Sequence, residues 1–353
     1  MALTSFFAPT VLAGPQLTEQ TRGRNIAIRD ESGADLASRM VDPVVAAEAA
    51  GVDFALIAQR WWGSGTEIEA SSFDCLAMTA FYAAHTSTIG LITAIHPGFF
   101  LPGPIAKWGT SIDRLTGGRW SINVTSGWNL VEFPMYGAEL VEHDERYRRS
   151  AEFIEILRGA WADSAFTYKG EHYSVDDLKL EPRPTSSSLT VFQGGQSDAA
   201  RQMAADHSDW MFLNGGTPEK IGAIISDVRG RAASSGRQVR FALFGIPLCR
   251  ATDHEAQARI RDMVEGIDHA VAEQRRTYVS GAEGMWEASD DELTLLDTNE
   301  GFASRLIGSP NTILRRLEEF VDAGVDCFHL SLSDRLFMDE VFPAIRSLGT
   351  GRG

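Results

Sequence analysis

Short, almost wholly apolar runs recur along the chain, each followed by a stretch whose apolar residues return at helical spacing. The runs are Phe6 to Leu12, Val52 to Ala58, Ser87 to Ile95, Arg119 to Thr125, Leu189 to Phe192, Ser208 to Leu213, Val239 to Cys249 and Val325 to Leu332. A run that is apolar at both alternating positions is the pattern of a strand buried on both faces. Helical spacing covers Val41 to Ala50, Ser72 to His85, Pro104 to Leu115, Glu142 to Trp161, Ser197 to Asp206 and Pro218 to Arg229. It returns over Asp253 to Glu273, Pro310 to Ala323 and Met338 to Leu348.

Strands alternating with helices predict parallel pairing, and eight such units predict closure into a barrel. The expected fold is therefore α/β, a single (β/α)8 TIM barrel over residues 1–353. A doubly wound open sheet would carry a glycine-rich phosphate signature after its first strand. Here that place reads AGPQLTEQTRGR, without GxGxxG. Two stretches break the alternation, residues 163–184 and residues 275–306. They are read as insertions over the C-terminal face of the barrel, where lids and pockets are built.

Length changes this picture little: 353 residues suit one large barrel. Charge narrows the partners. With 48 acidic and 32 basic residues, net charge -16, the chain shows no basic face for nucleic acid. Three cysteines, Cys75, Cys249 and Cys327, are odd in number and form no CxxC pair, so neither a disulfide framework nor a metal site is expected. The apolar start MALTSFFAPTVLAGPQ has no basic residue before Arg22 and is read as a first strand, not an export signal. No apolar run reaches membrane-spanning length, and the cytoplasm is the expected compartment.

In a barrel the chemistry sits at the C-terminal strand ends. The fourth run ends in Asn123-Val-Thr125-Ser126-Gly127-Trp128-Asn129, then Glu132. Polar groups there suit a planar ligand, with Trp128 and Glu132 as walls; a polar turn capping the strand would read the same. Arg146-Tyr147, at the start of the next helix, pairs a cation with a hydroxyl, which suits a phosphate. The neighbouring Arg148 and Arg149 read as members of a solvated, ion-paired helix face. In FQGGQSDAAR, Gly194-Gly195 allows close backbone approach to an oxyanion and Ser197 caps the following helix. A capped βα turn without a ligand is the alternative. His96, after the third run, is a candidate base or ring contact, or an ordinary buried histidine. Small Ala94 beside it leaves room for a flat ring. Trp61, Trp62, Phe99, Phe100, Trp128 and Phe133 could ring an apolar mouth. No HExxH, G-x-S-x-G or paired-carboxylate arrangement points to hydrolysis.

The stretches RLTGGRWSINVTSGWNLVEF, EHDERYRRSAEFIEILRGAW, FTYKGEHYSV and FQGGQSDAARQMAADHSDWMFLNGGTPEKI resemble the bacterial-luciferase superfamily. The resemblance is greatest to the FMNH2-dependent dimethylsulfone monooxygenase branch, and more distant to alkanesulfonate and pyrimidine monooxygenases. It implies the same barrel fold, FMN as externally reduced FMNH2, and O2 as cosubstrate. It implies a NAD(P)H:FMN reductase as partner and a homodimer or homotetramer. Carried over residue by residue, Ile57, Ala58, Ala94, Asn123 and Glu132 would lie along the flavin, and Arg146, Tyr147, Gly195 and Ser197 around its phosphate. His96, Trp128 and Asn129 are the candidates for the reacting centre. The implied reaction inserts one oxygen atom into a small organosulfur compound through a flavin peroxide. A heterocyclic or halogenated substrate attacked through an N5 adduct, a deazaflavin-dependent dehydrogenase and a non-catalytic flavin binder are the alternatives. Where the alkanesulfonate branch carries Arg and His on strand seven, this chain has Phe244 and Ile246. The Tyr and His after that branch's last strand become Ser333 and Arg335. Holding a sulfonate without cations would be costly, so a neutral substrate is expected. Residues 275–306 are the expected lid.

Overall fold

The computed structural model describes residues 1–11, 16–28, 32–61, 72–279 and 291–349. Eight parallel strands close into a barrel. They are β1 (Leu3–Phe7), β2 (Phe54–Ile57), β3 (Gly90–Ile95), β4 (Trp120–Val124), β5 (Val191–Gly194), β6 (Trp210–Leu213), β7 (Arg240–Gly245) and β8 (Cys327–Leu330). Each pairs in parallel with its neighbours in chain order, and β1 closes on β8 through Ser5 opposite His329. The barrel matches the fold expected from the sequence.

Strand side chains alternate between two faces, and both are dry. Outward positions such as Ala55, Ile57, Leu91, Ile122, Val191, Leu243 and Phe328 join the surrounding helices in one large core. Inward positions Leu56, Ile92, Ala94, Phe192, Trp210, Ala242 and Cys327 fill the barrel. Phe192 and Trp210 stack at 5.4 Å across that interior. Burial on both faces explains why the strands read as continuous apolar runs.

The helices start where local chemistry allows. Asp74, Ser197, Thr217 and Thr252 each accept a hydrogen bond from the backbone N–H three residues on, which satisfies a donor the first turn leaves open. Four expectations are corrected. The first strand begins at Leu3, three residues before Phe6. Helical structure, expected first from Val41, already appears in a helix over Glu19–Ile28 and in the helix Ala34–Ala49. The first is nearly all polar, and the second carries Pro43 inside it, so neither shows a clean pattern. The helix expected from Asp253 to Glu273 splits into Asp253–Glu265 and His269–Val279 around Gly266. There the chain turns to pair with the N-terminal segment, Asp268 N–H donating to Leu17 at 2.9 Å. Finally, the run to Cys249 leaves the barrel after Gly245, and Leu248–Cys249 pairs with Ile307–Gly308 instead.

Within residues 163–184 a hairpin forms, Phe166–Lys169 antiparallel to Ser174–Leu178. It is tied down at its turn: Glu152 accepts from the backbone of Glu171, His172 and Tyr173, and the Tyr173 hydroxyl donates to Pro97 at 2.7 Å.

Candidate functional site

A cavity opens at the C-terminal mouth of the barrel. Its wall comes from strand ends around the ring: Phe7, Ala58, Ala94 and His96, Asn123 and Thr125, Gly194, Phe212 and Asn214, Phe244 and His329. These residues continue the inward-facing series of their strands. The mouth is therefore the place where the filled interior stops.

On one side the wall is a cradle. Gly195 holds φ +120, and a Cβ there would come 3.0 Å from the Tyr147 hydroxyl and 3.1 Å from Ala200. Only glycine fits that backbone and that gap. Ser197 Oγ accepts from Ala200 N–H at 3.3 Å and lies 3.5 Å from the Tyr147 hydroxyl, to which it donates. The helix Asp198–His207 begins here, so free N–H groups, a hydroxyl pair and a dipole end converge, the chemistry that binds a phosphate. Arg146, the residue before Tyr147, is buried but does not line the cavity.

The middle of the wall carries polar atoms with no hydrogen-bond partner among the described residues. Asn123 Oδ1 and Gln59 Nε2 are buried and unsatisfied, and so is Gln196 Nε2 at the cradle. Asn123 Nδ2 donates to Thr125 at 3.2 Å, and Gln59 Oε1 accepts from His96 N–H at 2.8 Å. Buried orphaned donors and acceptors are costly unless a ligand meets them. A phosphate-bearing ring with polar edges fits this arrangement.

His96 lines the cavity and is 3% exposed. Burial, helped by the positive charge of Arg60, pushes its pKa down to about 3. Its Nδ1 lies 3.9 Å from Glu132 Oε2. An imidazole that holds protons so weakly is neutral at pH 7. In that state it can donate and accept hydrogen bonds at the cavity wall. Glu132 does not line the cavity itself, and its Oε1 accepts from Trp61 N–H at 2.9 Å.

The expected residues divide accordingly. Ala58, Ala94, His96, Asn123, Trp128, Tyr147 and Gly195 line one cavity. Ser197 caps the cradle behind them. Ile57 does not take part through its side chain: the period of two turns it outward into the helix-facing core. Asn129 is buried and its Oδ1 accepts from Val131 N–H at 3.0 Å, a turn-holding contact. Arg149 is not solvated as expected; it lies buried with its guanidinium 6.0 Å from the Phe133 ring.

The aromatic mouth is also corrected. Trp61, Phe99 and Phe133 pack among themselves, with ring centres 5.3 Å apart for Trp61 and Phe99 and 4.7 Å for Phe99 and Phe133. Trp62 lies outside the described residues. Of the six, Trp128 reaches the cavity. The aromatic wall is instead Phe7, Phe212 and Phe244; Phe244 was marked by the resemblance, whereas Phe7 and Phe212 did not stand out in the sequence as pocket residues. Gln59, Arg60, Asn214, Asn299 and His329 were missed as well. Their signal was positional, since each follows or ends an inward-facing strand series or, for Asn299, sits in the insertion before β8.

A second cavity adjoins the first and shares Phe7, Ala58, Arg60, Phe244 and Asn299 with it. Ile246, Ser333 and Asp297 also line it. Arg335 does not enter either cavity; its side chain is 94% exposed and sits 3.6 Å from Asp339. Among the described residues, Arg60 is the one arginine or lysine in the two linings. Asp297 spends its carboxylate on the backbone N–H groups of Asn299, Gly301 and Phe302, and burial raises its pKa to about 6. From the expected lid, Arg275 places its guanidinium 4.5 Å from the Trp128 ring. The insertion's residues 280–290 lie outside the described residues.

A barrel with an oxyanion cradle at one edge of its mouth and an apolar chamber at the other is built for a phosphorylated ring cofactor and a small second ligand. The family pattern described as luciferase-like monooxygenase matches residues 5–327, and the chain belongs to that family. It is 38% identical over 315 residues to an FMNH(2)-dependent dimethylsulfone monooxygenase of Pseudomonas fluorescens (strain Pf0-1), covering 86% of this chain and 85% of that protein. It is 28% identical over 309 residues to the pyrimidine monooxygenase RutA of Stutzerimonas stutzeri (strain A1501), covering 84% of each. Among solved structures, a riboflavin lyase with modified FMN and riboflavin superposes with a TM-score of 0.81 at 17% identity, over 98% of this chain and 92% of that one.

Proposed function

We propose that this luciferase-like monooxygenase is the oxygenase of a two-component system. It takes FMNH2 from a separate NAD(P)H:FMN reductase and inserts one atom of O2 into a small neutral organosulfur compound such as dimethylsulfone. The observation that carries the substrate class is the chamber across the mouth from the cradle, where Phe244 and Ile246 stand in the wall and Arg335 stays outside. The likeness to dimethylsulfone monooxygenases agrees with it.

When bound, reduced FMN would supply the electrons for activating O2. The chain's own residues position and shield it. The N–H groups at Gly195 to Ser197, with the Tyr147 hydroxyl and the nearby Arg146, hold the phosphate. Ala58 and Ala94 leave space for the ring, and Asn123 and Gln59 meet its polar edges. Neutral His96 supplies a hydrogen bond without adding charge. Trp128, held by Arg275, closes the outer side and keeps water from the reacting centre. Among the described residues no helix is long and apolar enough to cross a membrane. The chain is proposed to work as one barrel domain in the cytoplasm, as a homodimer or homotetramer.

The test is oxygen uptake with product analysis, using FMN, a flavin reductase and NADH. Dimethylsulfone should be consumed and methanesulfonate left. Consumption of methanesulfonate instead would overturn the neutral-substrate reading, and peroxide as the sole product with sulfones, pyrimidines and chloroaromatics would overturn the oxygenase reading.

A further inference from the structure

His329 sits on an inward position of β8, is 1% exposed and lines the cavity. Its Nδ1 lies 2.8 Å from Ser5 Oγ on the neighbouring strand. Its Nε2 is buried and has no hydrogen-bond partner among the described residues. Three rings surround it edge-on or tilted: Phe7 at 4.3 Å, Phe212 at 5.1 Å and Phe244 at 5.6 Å. An imidazole inside an aromatic collar would have an apolar residue in its place if packing were its purpose.

The direction of the small network fixes the tautomer. The Cys327 thiol lies 3.6 Å from Ser5 Oγ and points its proton there. Burial keeps that thiol protonated, with a pKa raised to about 12. Thiol sulfur is a weak acceptor, so the Ser5 proton goes to the other neighbour, His329 Nδ1. Nδ1 then carries the lone pair, and the imidazole proton sits on Nε2.

Position decides what this N–H serves. In the barrel β8 stands directly across from β4, with three strands between them on either side. The cradle lies on the β4 and β5 side, through Tyr147 and Gly195. His329 is on the far wall, collared by Phe7 and Phe244, the two rings shared with the second cavity. We infer that His329 is a specificity residue: its Nε2–H donates a hydrogen bond to an uncharged acceptor oxygen of the substrate, and Ser5 and Cys327 hold it in the donating tautomer. A ligand with an oxygen at that point satisfies a buried donor, whereas the same skeleton without the oxygen leaves it unsatisfied. Such sites discriminate by tenfold or more. That the oxygen is a sulfone oxygen rests on the function proposed above; the donor itself does not.

The experiment compares wild type, His329→Phe, His329→Gln and Ser5→Ala, each with FMN bound. Dimethyl sulfone and dimethyl sulfide serve as binding probes, and 15N imidazole spectra report the tautomer. The expected result is a His329 imidazole protonated on Nε2, with sulfone affinity about tenfold lower in His329→Phe and largely restored in His329→Gln. Sulfide affinity should stay level in all variants and FMN affinity within about twofold, which also shows that the phenylalanine variant folds. Ser5→Ala should lose part of the Nε2–H population. A proton on Nδ1, unchanged sulfone affinity in His329→Phe, or FMN affinity falling in step with it would overturn the inference. If wild type binds no sulfone, the substrate reading fails, and dimethylformamide then probes the donor alone. A shift of the Nε2–H signal on adding it supports the donor, and no shift overturns it.

Discussion

The Arg275 guanidinium lies 4.5 Å from the centre of the Trp128 ring, and this contact joins the insertion before β8 to the wall of the flavin cavity. Arg60 approaches the same ring at 5.7 Å. Arg275 is 4% exposed, so the cation–π attraction acts in a desolvated setting, where it is worth about 2 kcal/mol. Replacing Arg275 with alanine should loosen the cover without touching the cradle. The expected result is a severalfold larger share of reduced flavin lost as hydrogen peroxide, at FMN affinity within about threefold of wild type. Peroxide yield per NADH in the coupled assay measures this. Unchanged coupling would remove Arg275 from the cover.

Acid should destabilise the protein well before its carboxylates protonate. Burial holds both His96 and His329 at about 3, against an ordinary value of 6.5. Between those values the unfolded chain binds protons that the folded chain refuses, so stability falls as pH drops below 6.5. The loss is about 2 kcal/mol for each histidine at pH 5. His207, lowered mainly by burial, acts in the same direction. Asp297 acts oppositely: raised to about 6, it binds a proton in the folded state first and returns about 1 kcal/mol by pH 5. The urea midpoint should therefore drop clearly from pH 7 to pH 5, and His329→Phe should flatten that drop. Equal midpoints at the two pH values would show that these imidazoles are not held neutral by the fold.

The barrel was legible because burial on both strand faces leaves runs such as Phe54 to Ile57 apolar throughout, and because Asp74, Ser197 and Thr252 mark helix starts by their own chemistry. The helix Glu19–Ile28 was not legible, since a mostly polar sequence is held there by tertiary contacts such as Arg22 to Asp268 at 2.7 Å. The cradle announced itself through Gly-Gly-x-Ser ahead of a helix. The far wall did not. Phe7 and His329 read as strand interior, and only closure of the barrel shows that these inward positions lie at the mouth rather than in the filled core; Phe244 was marked by the resemblance alone. Ile57 failed for a related reason, since resemblance marks a strand end but the period of two decides which residue faces in.

The cradle makes a graded prediction for FMN affinity. Ser197→Asp places a carboxylate against the phosphate and should weaken binding at least tenfold. Tyr147→Phe removes one hydroxyl and should cost about 1 kcal/mol, several-fold in Kd. Gly195→Ala must strain a φ of +120 and push against the Tyr147 hydroxyl, so its effect should exceed that of Tyr147→Phe. Fluorescence titration with FMN gives the order. Unchanged affinity in Ser197→Asp would place the phosphate elsewhere.

The last prediction concerns charge in the substrate chamber. Among the described residues, Arg60 is the one arginine or lysine lining the two cavities, and it stands where they meet. If any anion is held there, Arg60 holds it, because Phe244 and Ile246 offer no charge and Arg335 is turned to solvent beside Asp339. Wild type should prefer dimethyl sulfone to methanesulfonate by at least about tenfold, since a sulfonate loses its water without a dedicated partner. Arg60→Gln should reduce the residual sulfonate affinity by a further tenfold or so, the scale of one charge-assisted hydrogen bond. The KM for the sulfone should move less than about threefold, because a neutral oxygen gains little from a cation already engaged near Trp128. Competition of the two compounds in the oxygen-uptake assay reads both quantities. A large rise in the sulfone KM with Arg60→Gln would mean that the chamber orients even its neutral ligand by charge, and that the apolar wall is not what selects the substrate.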